Sequence, residues 1–227
     1  MKLSKLIAFI GMFSLMSIAL SGQETATEFL MDRICKCFEE VENIEGFDLD
    51  PCVEKILQSD TTKLKELLSR EGDYDFNSHW QGYELGQKIF KEGLEYLIMN
   101  CDAFFHLMNT QKQSTFDSYK IELTEPEWRE LEKEMETDPN LDQLWKRAGY
   151  LIAKGEFEQA SKEMEEVMNQ TEYFYKVYLL MGFVQESLGN YSQAIMHYEE
   201  YMKRIGDQQL KWLIYITRRL QKENSEK

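Results

Sequence analysis

The strongest constraint on this chain is an internal repeat. Residues 144–169 read LWKRAGYLIAKGEFEQASKEMEEVMN, and residues 178–203 read YLLMGFVQESLGNYSQAIMHYEEYMK. The offset between them, 178 minus 144, is 34 residues. Gly155 aligns with Gly189, Phe157 with Tyr191, Ala160 with Ala194, Ala148 with Gly182 and Met164 with Tyr198. A period of this length is the mark of a unit that buries its apolar face only by stacking on its neighbours.

Each matched pair answers a packing requirement. Two antiparallel helices approach closely only where a small residue sits at the crossing, as Ala148 and Gly182 do on the first helix and Ala160 and Ala194 on the second. Gly155 and Gly189 are placed to end the first helix in the left-handed conformation that glycine adopts without steric cost. Phe157 and Tyr191 fill the space beside that turn. Met164 and Tyr198 point from the second helix into a shared core.

On these residues, segments 141–174 and 175–208 resemble the tetratricopeptide repeat family, over about a third of the chain. The second repeat carries Tyr178, Met181, Gly182, Leu188, Gly189, Tyr191, Ala194 and Tyr198 in the family's places. The first departs at Arg147, where the family usually has an apolar residue. Tyr201 stands where a small one is preferred. Neither repeat ends in the usual proline. Residues 209–223 continue the register, with Trp212 lying 34 positions after Tyr178, and read as a capping helix, leaving a tail at 224–227. Trp212, Tyr215, Ile216 and Leu220 form its apolar stripe. Lys211, Arg218, Arg219 and Lys222 lie elsewhere, as suits the polar outer face of a terminal helix.

The resemblance implies binding of another protein or peptide in the groove lined by the first helices. The residues at those places are Asp142, Trp145, Gly149 and Ile152, then Lys176, Leu179, Phe183 and Glu186. The Lys and Asn with which some family members clamp a peptide carboxylate are replaced here by Trp145 and Gly149. An apolar patch of Trp145, Leu179 and Phe183 would instead suit a partner helix or apolar peptide. The competing expectation is that these residues pack against the protein's own N-terminal half, because two repeats bury little core and about three are usual.

The first 22 residues have the layout of a secretory signal peptide: Lys2 and Lys5, an uncharged run from Leu6 to Leu20, and small Ala19 and Ser21 before Gln23 and Glu24. The run is short for a span, which needs about 20 apolar residues, and Gly11, Ser14 and Ser17 interrupt it. No later segment reads as a span. Cleavage would remove both lysines and no acid, taking the net charge from −15 to −17. Such a surface argues against nucleic acid, whose binding depends on Lys and Arg neutralising phosphates. The expected location is the periplasm, the cell surface or the exterior.

Residues 23–108 read as a cysteine-containing helical bundle. A helix over 26–43 carries Phe29, Leu30, Ile34, Cys37, Phe38 and Val41 on one stripe. Asp50 and Pro51 open a second helix running through Leu68 with a break near Ser59–Asp60, and residues 69–78 form a loop. A third, long helix is expected from Trp80 to Met108. Gly82, Gly86 and Gly93 lie along it and suggest close packing against another helix. Residues 109–140 read as a polar linker over 109–124 followed by an amphipathic helix. Thr124 or Glu125 opens that helix, and Trp128, Leu131 and Met135 form its apolar edge.

Cys35, Cys37, Cys52 and Cys101 form an even set in an exported chain, which reads as a disulfide framework. Of the three pairings, one joining Cys35 to Cys37 is least favoured, since residues two apart on a helix point to nearly opposite sides. Cys37–Cys52 with Cys35–Cys101 is the preferred reading. This half also resembles uncharacterised bacterial secreted helical proteins, a resemblance that implies no activity.

The expectation is therefore an all-α protein: a disulfide-linked bundle followed by a short tetratricopeptide solenoid and a cap. It contains no cofactor motif, no nucleophile elbow, no phosphate loop and no HExxH, and it reads as a binding module rather than an enzyme. Two alternatives remain open. One is a thiol redox or metal-binding protein using the four cysteines, although His79, His106 and His197 share no motif with them. The other is a helical carrier of a small ligand. Asn169-Gln170-Thr171 and Asn190-Tyr191-Ser192 match glycosylation acceptors by pattern alone.

Overall fold

A computed structural model describes residues 24–40, 52, 55–56, 59–72, 91–136, 139–171 and 173–226. The signal peptide, the Asp50–Pro51 helix start, Val41, Gly82 and Gly86 fall outside them. Among the described residues the protein is all helical. It divides into two compact units between Tyr96 and Leu97.

In the first unit, α1 (Ala26–Glu40) buries Phe29, Leu30, Ile34, Cys37 and Phe38, the stripe set by its 3.6-residue period. Helix α2 (Thr61–Glu71) begins after Asp60, at the expected break, and Arg33 of α1 reaches the Asp60 carboxylate at 3.6 Å. Ala26 and Phe29 share a small core with Leu64, Leu67 and Leu68. A Cβ at Gly93 would fall 2.4 Å from the sulfur of Met31, so at this glycine another helix does pack closely. Cys37 and Cys52 are joined by a disulfide with 5.7 Å between their Cα atoms. None of the four cysteines is a free thiol.

The long third helix is not continuous. Residues 91–100 are helical, Cys101 is extended (φ −116°, ψ 109°), and α3 runs Asp102–Asp117. Its continuation through 109–117 replaces the expected linker. The physical reason is a stripe of Phe104, Phe105, Met108, Lys112 and Phe116, all buried, in which the charge of Lys112 hides the period. Residues 118–119 then turn, and 120–124 run without regular structure; together they form a strap. Helix α4 (Glu125–Glu134) opens on a capping box in which the Glu127 carboxylate accepts from the Thr124 backbone N–H at 2.7 Å.

Helices α5 (Leu141–Lys154), α6 (Phe157–Gln170), α7 (Lys176–Ser187), α8 (Tyr191–Ile205) and α9 (Lys211–Ser225) pack each on the next, α5 on α6 through to α8 on α9. Asn140 and Gln143 cap α5 reciprocally. Gly155 and Gly189 both take φ near +77°, at 76° and 78°, and end the first helix of each hairpin as expected. A Cβ at Gly182 would meet the Tyr198 ring at 2.4 Å, so the small residue at that crossing makes room for the aromatic side chain of the partner helix. Arg147, the departure in the first repeat, pairs through Nη2 with Glu163 on α6, while its buried Nε finds no hydrogen-bond partner. The core of this unit runs from Phe116 through Leu144, Met164, Leu180 and Tyr198 to Ile214.

Candidate functional site

The candidate groove is the face formed by α5, α7 and α9. In this structure the chain's own α3 and strap lie along it. Phe116 stacks on Phe183 with ring centroids 4.3 Å apart. The strap follows α5: the Ile121 N–H donates to the Gly149 carbonyl at 3.2 Å, and a Cβ at Gly149 would meet Ile121 at 2.8 Å and the Tyr119 carbonyl at 3.0 Å. The glycine is what lets a second backbone approach this closely. Tyr119 meets Trp145 edge-on at 6.3 Å, and Trp145 meets Phe174 edge-on at 4.7 Å.

The predicted groove residues therefore separate into two sets. Gly149, Ile152, Leu179, Phe183 and Glu186 are buried, and Trp145 is half-buried. Asp142 and Lys176 remain exposed. The sequence leaves two readings open, an apolar groove free for a partner and one packed against the N-terminal half; at Gly149, Phe183 and Glu186 the groove is filled, by a segment outside the cysteine-containing bundle. The filler is residues 112–121, which pattern reading had assigned to a polar linker. Two hairpins alone bury little core, and here an amphipathic helix from the same chain packs on them.

The filling helix brings a charge with it. Lys112 is fully buried and its ammonium pairs with the Glu186 carboxylate of α7. The second Glu186 oxygen lies 2.6 Å from the Thr217 hydroxyl of α9, which is also 2.8 Å from the Leu213 carbonyl. Three helices are tied together at one carboxylate. Burial pushes the Lys112 ammonium below the usual lysine range, and Glu186 opposes that shift. The Tyr198 phenol is also enclosed, and its hydroxyl finds no hydrogen-bond partner. Burial, with the Glu186 charge added, raises Tyr198 well above the ordinary tyrosine range.

Arg219 is a second buried cation. Assigned by pattern to the outer face of the cap, it instead donates inward to the carbonyls of Ile98 at 2.9 Å and Cys101 at 3.2 Å. It also pairs with Asp102 and Glu223 and lies 4.2 Å over the Phe105 ring. Both carbonyls stand where one helix stops and the next begins, and the Cys101 carbonyl also accepts from the Phe105 N–H at 2.9 Å. Pattern reading missed Lys112, Thr217 and Arg219, since a charge or hydroxyl on a helix ordinarily signals the solvated face.

A more open feature lies near the start of α7. Tyr173 and Tyr175 are exposed, at 82% and 42%, and the Tyr175 ring lies 6.0 Å from that of Tyr201 on α8. No group of His, Cys, Asp and Glu placed to hold a metal ion occurs among the described residues. No helix among them is long and apolar enough to cross a membrane.

Comparison with protein-family models, with curated proteins and with solved structures produced no match.

Proposed function

We propose that this protein is an exported interaction module whose second unit is a tetratricopeptide-type helical stack working by binding another protein. The single observation that carries this reading is the 34-residue register. It repeats in sequence, and in both hairpins a left-handed glycine, Gly155 and Gly189, closes the first helix. Export is supported by the leader-like first 22 residues and by the formed Cys37–Cys52 disulfide, a bond that persists in oxidising compartments. The buried groove positions are covered by α3 and the strap, so the partner docks at the exposed aromatic end of the stack, around Tyr173 and Tyr175.

The test is site-specific photo-crosslinking in the native exported fraction. A crosslinker at Tyr173 should give a discrete protein adduct, and the same group at Lys222, at the far end of α9, should not. Indistinguishable adduct patterns at the two positions, or none at either, would sink the module reading.

A further inference from the structure

Cations repeatedly cover aromatic rings in the second unit. Lys154 lies 5.3 Å over Tyr150, Arg204 lies 4.5 Å over Tyr178, and Arg219 lies 4.2 Å over Phe105. An aromatic face carries negative quadrupolar charge, and a cation within about 6 Å of its centroid is attracted. Among the described residues, the aromatic groups for which no such cover is seen include Tyr119, Tyr175 and Tyr201, carried by the strap, the start of α7 and helix α8. Tyr175 and Tyr201 rings are 6.0 Å apart at 39°. Trp145 and Phe174 back Tyr119 from within. No hydrogen bond engages the three hydroxyls among the described residues. Tyr201 is raised by burial first and then by Tyr119, Tyr175 and Asp207, which places these three groups near its hydroxyl, with the Asp207 carboxylate the anion among them.

The charged groups around the cluster bear on what it would accept. Lys120 is paired with Asp117 at 2.7 Å, and Lys203 and Arg204 are both paired with Glu200. Lys176, beside Tyr175 in sequence, has no ion pair among the described residues and opposes a cationic ligand. Asp207 and the chain's net charge of −15 favour one.

Resting on the interaction-module reading, we propose that Tyr119, Tyr175 and Tyr201 form a recess that takes a lysine or arginine side chain of the protein partner. The cation lies against the Tyr175 and Tyr201 faces, and Asp207 supplies the formal charge. The partner is accordingly a basic segment, and the recess supplies the specific contact that long-range attraction alone lacks.

The test uses the full chain and two small probes, acetyl-arginine amide and its neutral isostere acetyl-citrulline amide, with binding followed by tyrosine NMR shifts. The arginine probe should bind about tenfold tighter than citrulline, a ratio worth ~1.4 kcal/mol and in keeping with two partly exposed ring faces. Tyr175→Leu with Tyr201→Leu should abolish that preference. Tyr175→Phe with Tyr201→Phe, which keeps both faces and both volumes, should preserve it, and Lys176→Ala should strengthen it. Equal binding of the two probes, loss of the preference in the Phe variant, or an unchanged preference in a folded Leu variant would each overturn the recess. The crosslinking result at Tyr173 is independent of these probes, so the recess can fail while the module reading stands.

Discussion

Replacing Lys112 by methionine isolates the interaction that closes the groove. The two side chains are similar in length, so little cavity forms, but the Glu186 carboxylate is left 6% exposed with only the Thr217 hydroxyl for company. Removing one partner of a buried ion pair costs about 3–5 kcal/mol, because the remaining charge is neither solvated nor paired. Lys112→Met is therefore expected to destabilise the second unit by that amount. Lys112→Met combined with Glu186→Leu should recover most of the loss. Apolar replacement of a whole buried pair is often neutral or better, and Thr217 keeps the Leu213 carbonyl as its acceptor at 2.8 Å. Urea unfolding followed by tryptophan fluorescence reads this directly, since Trp128, Trp145 and Trp212 all lie in the affected unit. The midpoint should fall with little change in slope. A Lys112→Met variant within about 1 kcal/mol of the parent would refute the reasoning, as would a double variant no better than the sum of the singles.

Four further outcomes follow from the same geometry. Tyr198→Phe removes a buried hydroxyl that has no partner, so it should be neutral or stabilising at pH 7. The phenol is raised in the folded state, so the parent should lose stability as pH climbs above about 10, the unfolded tyrosine value, and the Phe variant should lose less there, as read by alkaline unfolding curves. Gly182→Ala gains about 1 kcal/mol of helix propensity but drives a methyl group into the Tyr198 ring. A net loss of about 1–3 kcal/mol in urea unfolding is expected. Replacing Cys37 and Cys52 together by alanine reopens a loop of 15 residues and should cost the first unit about 3 kcal/mol, seen as earlier loss of hydrogen-exchange protection in α1 and α2. Tyr96, raised to about 12 by burial and by its 2.9 Å hydrogen bond to Asp32, should ionise late in an absorbance titration at alkaline pH, and Asp32→Asn should bring it back toward 10.

What the sequence determined by itself is the set of features written in neighbouring residues. The helix ends at Gly155 and Gly189, the capping boxes at Thr124 and Asn140, the apolar stripe of α1 and the fit of Gly182 to Tyr198 each depend on side chains within a few turns or one hairpin. Local sterics and the 3.6-residue period make such features legible. For the cysteines, helix geometry disfavoured only a Cys35–Cys37 bridge, and the structure joins Cys37 to Cys52, 15 residues apart. Only the tertiary structure decided which charges go inside. Lys112 is acceptable in the core because Glu186, 74 residues away, meets it there. Arg219 is acceptable because Asp102, 117 residues away, and two carbonyls at a helix end meet it. A charge reads as solvated until its distant partner is in place, so helix α3 was mistaken in part for a linker and the groove it fills was left open to either reading.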